Sequence, residues 1–398
     1  MRKIRRKVPK IPLRWSRKIF IFLGGGGVVA VASLFAYSYY FRQSPPLEEK
    51  FVVEPLPFDQ TLPLPTSEKP GHLEKKVESP VELIQPGQTV LLSGTRVAYQ
   101  SFNNCGPANL SMILSYYGIS KTQKELAEQL RPYRHPQGDN DDKTVFPQEF
   151  VDAVEDNGLR ALYRPNGSLQ LIKLFLANDI PVVVKTLLKK TEDSAHFRVV
   201  RGFDEEKQVM IVDDSYFGPN KKISYFDFLS MWQPFGYVYM PVYREGKDET
   251  IQAILGSEID PEVAYWRLIN RSQKEIEKDP QSIWPKFNLV NSYYRVGQLE
   301  KCVEEFEKIE FDLPRRALWY QIEPILAYQK LENYDRVFEI IEQVLNDGNR
   351  AFSELYQIRG EIFLDQGEKV AAKNEFQRAL EYNSNFLPAK KALSGLAQ

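Results

Sequence analysis

The sequence predicts one N-terminal transmembrane helix, an α+β domain and an all-α helical-repeat domain. A run of 23 residues without charge, 19–41, follows a strongly basic start. Residues 87–245 place amphipathic helical patterns before strand-like runs that are rich in β-branched and aromatic residues. Residues 260–398 have helical patterns that repeat every 35 residues, and residues 246–259 form a short linker before them.

The N-terminal segment predicts a membrane anchor and its orientation. Residues 1–18 carry nine Lys or Arg and no acidic residue. A helix over residues 19–41 is long enough to cross a hydrocarbon core of ~30 Å. Since basic flanks stay on the cytoplasmic side, we expect a cytoplasmic N-terminus and an extracytoplasmic remainder of a single-pass protein. A cleaved signal peptide is the alternative, because Ala30-Val31-Ala32 fits the small-residue cleavage pattern.

The distribution of charge along the chain indicates which classes of partner to expect. The whole chain has a formal net charge of −1, although its first 18 residues contribute nine positive charges. The remaining chain is therefore mildly acidic, which indicates no nucleic-acid partner. The basic cluster is instead typical of a topology signal and of a contact to anionic lipid.

Residues 42–86 predict a proline-rich linker. Nine of the 26 prolines fall between Gln43 and Pro86, with Ser, Glu and Lys between them. Each proline fixes φ and removes a backbone donor, so we expect an extended, semi-rigid spacer. Its apolar part, PLPFDQTLPLP, could instead pack on the next domain.

The stretch YQSFNNCGPANLSMILSYYG predicts a thiol at the start of a helix. Cys105 precedes Gly106 and Pro107, and proline is preferred in a first helical turn. The positive end of the helix dipole favours a thiolate, the form that attacks carbonyl groups. The alternative is a small buried cysteine. The second cysteine, Cys302, lies in a helical pattern where a small buried residue is expected, so the two cysteines indicate no disulfide framework.

The histidines add a candidate base. Of His72, His135 and His196, only His196 begins a strand-like run, HFRVVRGFD. The following strand-like run ends in Asp213 and Asp214. A hairpin of these strands can bring histidine and carboxylate together, and alternation lets only one of the two acids face the histidine. Cysteine, histidine and carboxylate in this order suit nucleophilic catalysis, while a structural strand histidine is the alternative.

Residues from about Val90 to Tyr243 resemble the papain-like cysteine peptidases of the bacteriocin-leader-processing, double-glycine peptidase-like type. The resemblance depends on QSFNNCGPA, on the histidine before an apolar strand in AHFRVVRGFD, and on IVDDSYFGP. It implies a two-lobed α+β domain with helices carrying the cysteine, strands carrying the histidine and the acid, and a cleft between them.

By the same resemblance, Cys105 is the nucleophile, His196 the base and Asp214 the orienting carboxylate, while Gln100 contributes to the oxyanion hole. The chain departs from the family by having Ser215 where a proline is usual and a second acid before Asp214. The third member of the triad is therefore uncertain by one residue.

The C-terminal part resembles the tetratricopeptide repeat. Gly297, Glu332 and Gly367 are 35 residues apart, and small or apolar residues recur 5, 9 and 12 positions after them. The set is Cys302, Val337, Ala372, Phe306, Ile341, Phe376, Ile309, Val344 and Ala379. We expect a partial unit at 260–279, a capping helix at 386–397, and a concave surface, including Tyr320, that holds a peptide or protein partner. An unrelated helical bundle is the alternative.

Two function classes follow. The first is a membrane-anchored extracytoplasmic cysteine peptidase that hydrolyses peptide bonds and uses its repeats to bind substrate or a partner. The second is a catalytically silent binding or assembly protein at the cell envelope. No P-loop pattern occurs, and we predict neither cofactor nor metal. Because no transporter segment is present, the double-glycine specificity of transporter-linked relatives is not expected by default.

Overall fold

The structure is a computed structural model that describes residues 81–132 and 145–396. The predicted basic segment, the predicted transmembrane anchor at 19–41 and most of the proline-rich linker lie outside the described residues, and so does His135. Within the described ranges, no helix is both long enough and apolar enough to cross a membrane.

The last residues of the predicted linker contact the α+β domain. The backbone N–H of Ile84 donates to Asn178 Oδ1 over 3.0 Å, and Asn178 Nδ2 donates back to the Ile84 carbonyl over 3.0 Å. At this end, the linker is therefore fixed to the domain.

Seven strands and six α-helices make up the described α+β region. The strands are β1 (Thr89–Leu91), β2 (Arg160–Ala161), β3 (Val182–Leu187), β4 (Ala195–Asp204), β5 (Val209–Asp214), β6 (Gly218–Ser224) and β7 (Tyr239–Tyr243). The helices are α1 (Cys105–Tyr116), α2 (Gln123–Leu130), α3 (Pro147–Asp156), α4 (Leu169–Ala177), α5 (Tyr225–Trp232) and α6 (Asp248–Leu255).

The strands form one antiparallel sheet with the order β2-β7-β3-β4-β5-β6, and β1 pairs with the far end of β4. In the β3–β4 pair, His196 lies opposite Thr186 and Phe197 lies opposite Lys185. The β4–β5 pair sets Val199 opposite Asp213. This register brings the start of β4 beside the end of β5.

Helices cover both faces of the sheet. On one face, α1 and α3 bury Leu110 and Phe150 against Phe197, with the rings of Phe150 and Phe197 stacked at 5.4 Å. On the other face, α4, α5 and α6 enclose a second core around Val184 and Phe203. Because helices cover both faces of the sheet, β3 and β4 are buried along almost their whole length instead of at every second residue.

Nine α-helices follow within the described residues 261–396. They are α7 (Pro261–Lys278), α8 (Ile283–Arg295), α9 (Leu299–Glu307), α10 (Ala317–Tyr320), α11 (Glu323–Lys330), α12 (Tyr334–Asn346), α13 (Ser353–Asp365), α14 (Lys369–Tyr382) and α15 (Leu387–Leu396). Two short helices, α10 and α11, precede α12 where the other repeats have one longer helix. Pro324 lies in the first turn of α11, the helix position at which proline is tolerated, so the chain breaks into two helices before it.

The 35-residue period appears as one turn repeated three times. Gly297, Glu332 and Gly367 all have positive φ, at +74°, +58° and +81°. After each, the next backbone N–H donates to the carbonyl five residues back, over 2.8, 3.0 and 2.7 Å. The predicted inner-face residues are all buried, which confirms the repeat register.

The helical region packs directly on the α+β region. Leu187, Met231 and Phe235 belong to the same apolar core as the repeat helices. Tyr320, expected on an open concave surface, is only 3% exposed and meets the Phe235 ring edge-on at 6.0 Å. The expectation for Tyr320 is therefore wrong, because the α+β region itself covers this tyrosine.

A buried ion pair also joins the two regions. Arg131 donates to Glu149 over 2.8 Å and to Glu354 of α13, and the arginine side chain is 5% exposed. Burial disfavours the charged forms of both Arg131 and Glu354. Loss of either side chain would therefore leave an uncompensated buried charge, which is strongly destabilising.

Candidate active site

The chain reaches Cys105 through a tight turn. Asn103 has a φ of +55°, which asparagine tolerates better than most residues, and α1 then begins at Cys105 itself. The thiol residue is half-buried at the edge of the core that contains Phe197. Its position at a helix N-terminus is the one that the sequence predicts.

Gly106 allows this helix end to pack closely against Val145. A Cβ at this position would lie 2.8 Å from Val145 Cγ2 and 3.8 Å from Phe197 Cε2. Any larger residue would therefore collide with Val145, while the distance to Phe197 of β4 would be an ordinary van der Waals contact. The sheet residue contacted, Phe197, is the direct neighbour of His196.

His196 and Asp214 form a buried pair. His196 Nε2 lies 3.0 Å from Asp214 Oδ1, and the side chains are 2% and 1% exposed. Burial lowers the pKa of His196 and the charge of Arg198 lowers it further, against the opposing effect of Asp214. Since Nε2 faces the carboxylate, Nδ1 is the ring nitrogen that can exchange a proton with a thiol.

Asp214 is held on both oxygens. Oδ1 also accepts from the backbone N–H groups of Tyr216 and Phe217, over 2.7 and 2.9 Å, while Oδ2 accepts from Arg198 Nε over 2.8 Å. Burial alone would raise the pKa of Asp214, but the hydrogen bond and charge of His196, together with the Arg198 charge, hold it well below its usual range. The carboxylate is therefore ionised and fixed in place.

Arg198 is the second buried cation of the site. Besides Asp214, it donates to the carbonyls of Leu187 and Leu188 over 2.8 Å each, and to Thr186 Oγ1. Burial lowers its pKa, and the charge of Asp214 and its hydrogen bond act in the opposite direction, as would a charge on Cys105. The guanidinium thus lies within electrostatic reach of both Cys105 and the His196–Asp214 pair.

The two neighbouring acids have different partners. Asp213 Oδ2 accepts from Arg201 Nε over 2.9 Å and from Thr95 Oγ1 over 2.7 Å. The β5–β6 register shifts between Val212 and Asp214, and a bulge of this kind re-aims side chains. The structure pairs Asp214 with His196, as the family resemblance implies, while the catalytic role itself remains a prediction.

Ser215, the residue that departs from the family pattern, is a buried hydrogen-bond centre. Its Oγ donates to Gln100 Oε1 over 2.8 Å and accepts from Asn109 Nδ2 over 3.0 Å. Asn109 also donates to the Cys105 carbonyl over 2.8 Å. Proline could not make these contacts, and Ser215 orients the Gln100 amide so that Nε2 is its remaining donor group.

These contacts bring the four predicted site residues to one region, where β4 begins and β5 ends. Gln100 and the Asp214–Ser215 turn are joined directly, since the Gln100 N–H donates to the Ser215 carbonyl over 2.9 Å. Cys105 is tied to the same turn through Asn109. In the described part of the chain, no group of three or more His, Cys, Asp or Glu residues could hold a metal ion.

The sequence interpretation missed Arg198, Asn109 and Ser215 as site residues. The spacing in the sequence could have indicated two of them. Arg198 is a charged residue within an apolar strand, two residues after His196 and so on the same face of the strand. Asn109 is four residues after Cys105 in a helix, which places both on one helix face. Nothing in the sequence indicated Ser215 except that it replaces the usual proline.

Comparisons with known proteins find one family match and several similar solved structures. Residues 91–240 match the family model described as Peptidase_C39 like family. A protein of Bacillus anthracis described as a C39-like peptidase is 16% identical, covers 40% of this chain and 99% of its own, and has a TM-score of 0.34. The peptidase domain of Streptococcus ComA, described as a bi-functional ABC transporter involved in quorum sensing, is 18% identical, with 38% and 100% coverage and a TM-score of 0.30.

MamA is 15% identical, covers 39% of this chain and 84% of its own, and has a TM-score of 0.29. None of the curated proteins compared with the chain matches it. The family match covers less than half of the chain and includes Gln100, Cys105, His196 and Asp214. Residues 91–240 are thus similar to the C39-like peptidase family, and a helical region follows them.

Proposed function

We propose that this protein is a cysteine peptidase with Cys105 as nucleophile, His196 as base, Asp214 as orienting carboxylate and Gln100 as an oxyanion donor. The observation that carries the proposal is the buried 3.0 Å contact of His196 Nε2 with Asp214 Oδ1, on the strand against which the Cys105 helix packs. That contact fixes the imidazole ring and its tautomer, as a general base requires.

The proposed reaction has two halves. In the first, His196 Nδ1 takes the Cys105 thiol proton and the thiolate attacks the peptide carbonyl carbon, while the Cys105 N–H and Gln100 Nε2 stabilise the oxyanion. His196 Nδ1 then donates this proton to the leaving amine, the C–N bond breaks and a thioester remains. In the second half, His196 Nδ1 takes a proton from the attacking water, the C–S bond breaks, and the proton passes to the Cys105 sulfur as the carboxylic acid is released.

Cys302 is the matched control for the nucleophile. It is buried in the repeats, and burial raises its pKa to about 12. We expect iodoacetamide at mildly acidic pH to alkylate Cys105 faster than Cys302, as read by peptide mass spectrometry. Cys105→Ala should abolish hydrolysis of a fluorogenic peptide library, whereas Cys302→Ala should retain it. Equal labelling of both thiols, or hydrolysis by Cys105→Ala, would contradict the assignment.

One observation favours the second candidate, a silent binding protein. Arg198 satisfies Asp214 Oδ2 and lowers the pKa of the buried His196, which disfavours an imidazolium beside the thiolate. A silent protein would bind peptides without cleaving them and would show slow alkylation at Cys105. An activity-based thiol probe on the full chain separates the candidates, because only the peptidase forms the covalent adduct.

The anchoring and domain limits belong to the same proposal. Residues 19–41 would hold the enzyme in the membrane with its N-terminus in the cytoplasm, and residues 87–245 and 260–398 would act outside it. Protease added to intact spheroplasts should then cut the spacer between Gln43 and Pro86 and release the remainder. Protection of that segment until the membrane is broken would reverse the orientation. The helical region would bind substrate or a protein partner.

A further inference from the structure

The loop between β3 and β4 leads directly into the candidate active site. It comprises residues 188–194, and His196 is the second residue of the strand that follows it. On the β3–β4 ladder, Leu187 pairs with Ala195 at the base of the loop, and the next pair is Thr186 with His196. Contacts that hold this end of the hairpin therefore also hold the strand end that carries the candidate base.

Both strands at this end of the hairpin pack on the helical region. Leu187 is 4% exposed and belongs to the apolar core that contains the repeat helices. Ala195 is partly buried against the same core. Apolar contacts of this kind are non-directional, so they hold the hairpin in place without fixing the orientation of the loop.

Arg316 of the helical region supplies directional contacts to the loop. This residue directly precedes α10, and its backbone N–H donates to Asp193 Oδ2 over 3.1 Å. Its Nη1 donates to Asp193 Oδ1 over 3.1 Å and to Ser194 Oγ over 3.0 Å. A single surface ion pair contributes little, but three hydrogen bonds that occupy both carboxylate oxygens define one geometry.

The same loop is bonded to the candidate site on its other side. The Leu188 N–H donates to the Ser194 carbonyl over 2.8 Å, which closes the loop. The Leu188 carbonyl accepts from Arg198 Nη2 over 2.8 Å, and Arg198 Nε donates to Asp214 Oδ2 over 2.8 Å. Hydrogen bonds therefore run without a gap from the helical region, through the loop, to the carboxylate that contacts His196.

We propose that Arg316 is a positioning residue of the site: it holds the β3–β4 loop through Asp193, and the loop fixes the Arg198 guanidinium against Asp214. The proposal rests on the proposed peptidase function. It gives the helical region a role in the reaction beside the binding of substrate or a partner, because the region orients the site through the loop.

Arg315 provides a matched control. The guanidinium carbons of Arg315 and Arg316 lie 5.2 and 5.1 Å from the ring centre of the same tryptophan, Trp319. Arg315 Nε, however, donates over 2.7 Å to Asp347, which directly follows α12 in the helical region. Arg315→Gln therefore removes the same charge beside the same ring and leaves the contacts of Arg316 with the loop in place.

The first test is kinetic and uses the full chain with a fluorogenic peptide that the unmodified chain cleaves. Arg316→Gln should lower kcat about threefold to tenfold, the range expected for a residue that acts through others. KM should change less than about twofold, because the loop acts on the Arg198–Asp214 contact and not on bound substrate. Arg316→Lys keeps the charge and should recover most of the loss, while Arg315→Gln should match the unmodified chain.

The second test follows the His196 imidazole and needs no cleavage. Burial lowers the pKa of His196, the hydrogen bond and charge of Asp214 on β5 raise it, and the charge of Arg198 on its own strand lowers it. A charge on Cys105 of α1 would in turn act on Arg198. The measurement therefore uses the full chain carrying Cys105→Ala, in which that charge is absent.

Imidazole NMR signals are followed against pH, and the signal that is missing in His196→Asn belongs to His196. If the loop holds Arg198, its release in Arg316→Gln and in Asp193→Asn should raise the pKa of His196 in both variants. These two substitutions remove opposite charges, so a direct field effect would instead shift the pKa in opposite directions. In an Arg198→Gln background, Arg316→Gln should add no further shift, because the residue it acts through is gone.

The positioning role is overturned if the two variants shift the His196 pKa in opposite directions or not at all. It is equally overturned if the Arg316→Gln shift persists in the Arg198→Gln background, or if Arg315→Gln lowers kcat as much as Arg316→Gln does. Should the unmodified chain cleave no peptide, the peptidase function would be refuted, while the NMR shifts would still decide whether Arg316 positions the His196–Asp214 pair.

Discussion

Two strands of the α+β region and the inner-face positions of the repeats bury different kinds of side chain. Strands β4 and β5 bury His196, Arg198, Asp213 and Asp214, all of them polar or charged. The inner-face repeat positions are filled by apolar residues and Cys302, at 0–5% exposure. The charges in the strands are tolerated because side chains on the neighbouring strand pair with them, whereas the inner-face positions follow a local helical pattern. The difference places the proposed site in the sheet, while the buried polar side chains of the helical region, Asn288, Asn291 and Glu323 among them, lie outside the inner-face positions.

The largest effect should separate the two neighbouring aspartates. Asp214→Asn should lower kcat/KM by about 10²- to 10⁴-fold, because the imidazole loses the carboxylate that fixes its tautomer. Asp213→Asn should change kcat/KM less than tenfold. It should instead lower the free energy of unfolding by about 3 kcal/mol, since Arg201 loses its buried partner. Steady-state kinetics and urea unfolding of both variants measure this, and equal kinetic losses would refute the assignment.

A core substitution tests whether the two regions act as one body. Phe235→Ala should lower the free energy of unfolding by about 3–5 kcal/mol, because this ring is 4% exposed and packs on Tyr320 of the helical region. Phe311→Ala is the control, since that ring is 92% exposed and should cost less than about 0.5 kcal/mol. Hydrogen exchange in β3 and α8 should accelerate together in the first variant. Faster exchange in only one of them would mean that the regions are independent.

Arg198 offers a smaller, electrostatic test. Burial is the largest cause of the lowered His196 pKa, and the Arg198 charge is a further cause of the same sign. In Arg198→Gln the burial remains and the positive charge is lost, so the pKa of His196 should rise and the imidazolium should persist to higher pH. Imidazole NMR signals of the full chain, followed against pH, measure it directly. A fall in this pKa would show that Arg198 acts mainly by holding Asp214 in place.

The sequence predicts the repeats more completely than the site. The inner-face positions follow from a local period, because each helix buries residues at fixed spacing. Asp214 could not be separated from Asp213 by alternation, since the β5–β6 bulge lies between Val212 and Asp214 and is not encoded in a readable pattern. The covering of Tyr320 by Phe235 likewise depends on contacts between residues 85 positions apart. Helix α4, apolar nearly throughout, also lacked the periodicity that identifies an amphipathic helix.

The smallest expected effect concerns the turn of the second repeat. Glu332 adopts a φ of +58° at the position where the other two repeats have glycine, and its side chain is exposed. A left-handed backbone conformation costs a non-glycine residue about 1–2 kcal/mol of folding stability. Glycine avoids this cost but lowers the stability by about 0.4–1 kcal/mol, because it gives the unfolded chain more conformational freedom. Glu332→Gly should therefore raise the free energy of unfolding by about 0.5–1 kcal/mol. Gly297→Ala, at φ +74°, should lower it by a similar amount. Urea midpoints at an unchanged slope measure both, and a destabilised Glu332→Gly would mean that this turn is held by its side chain rather than strained by it.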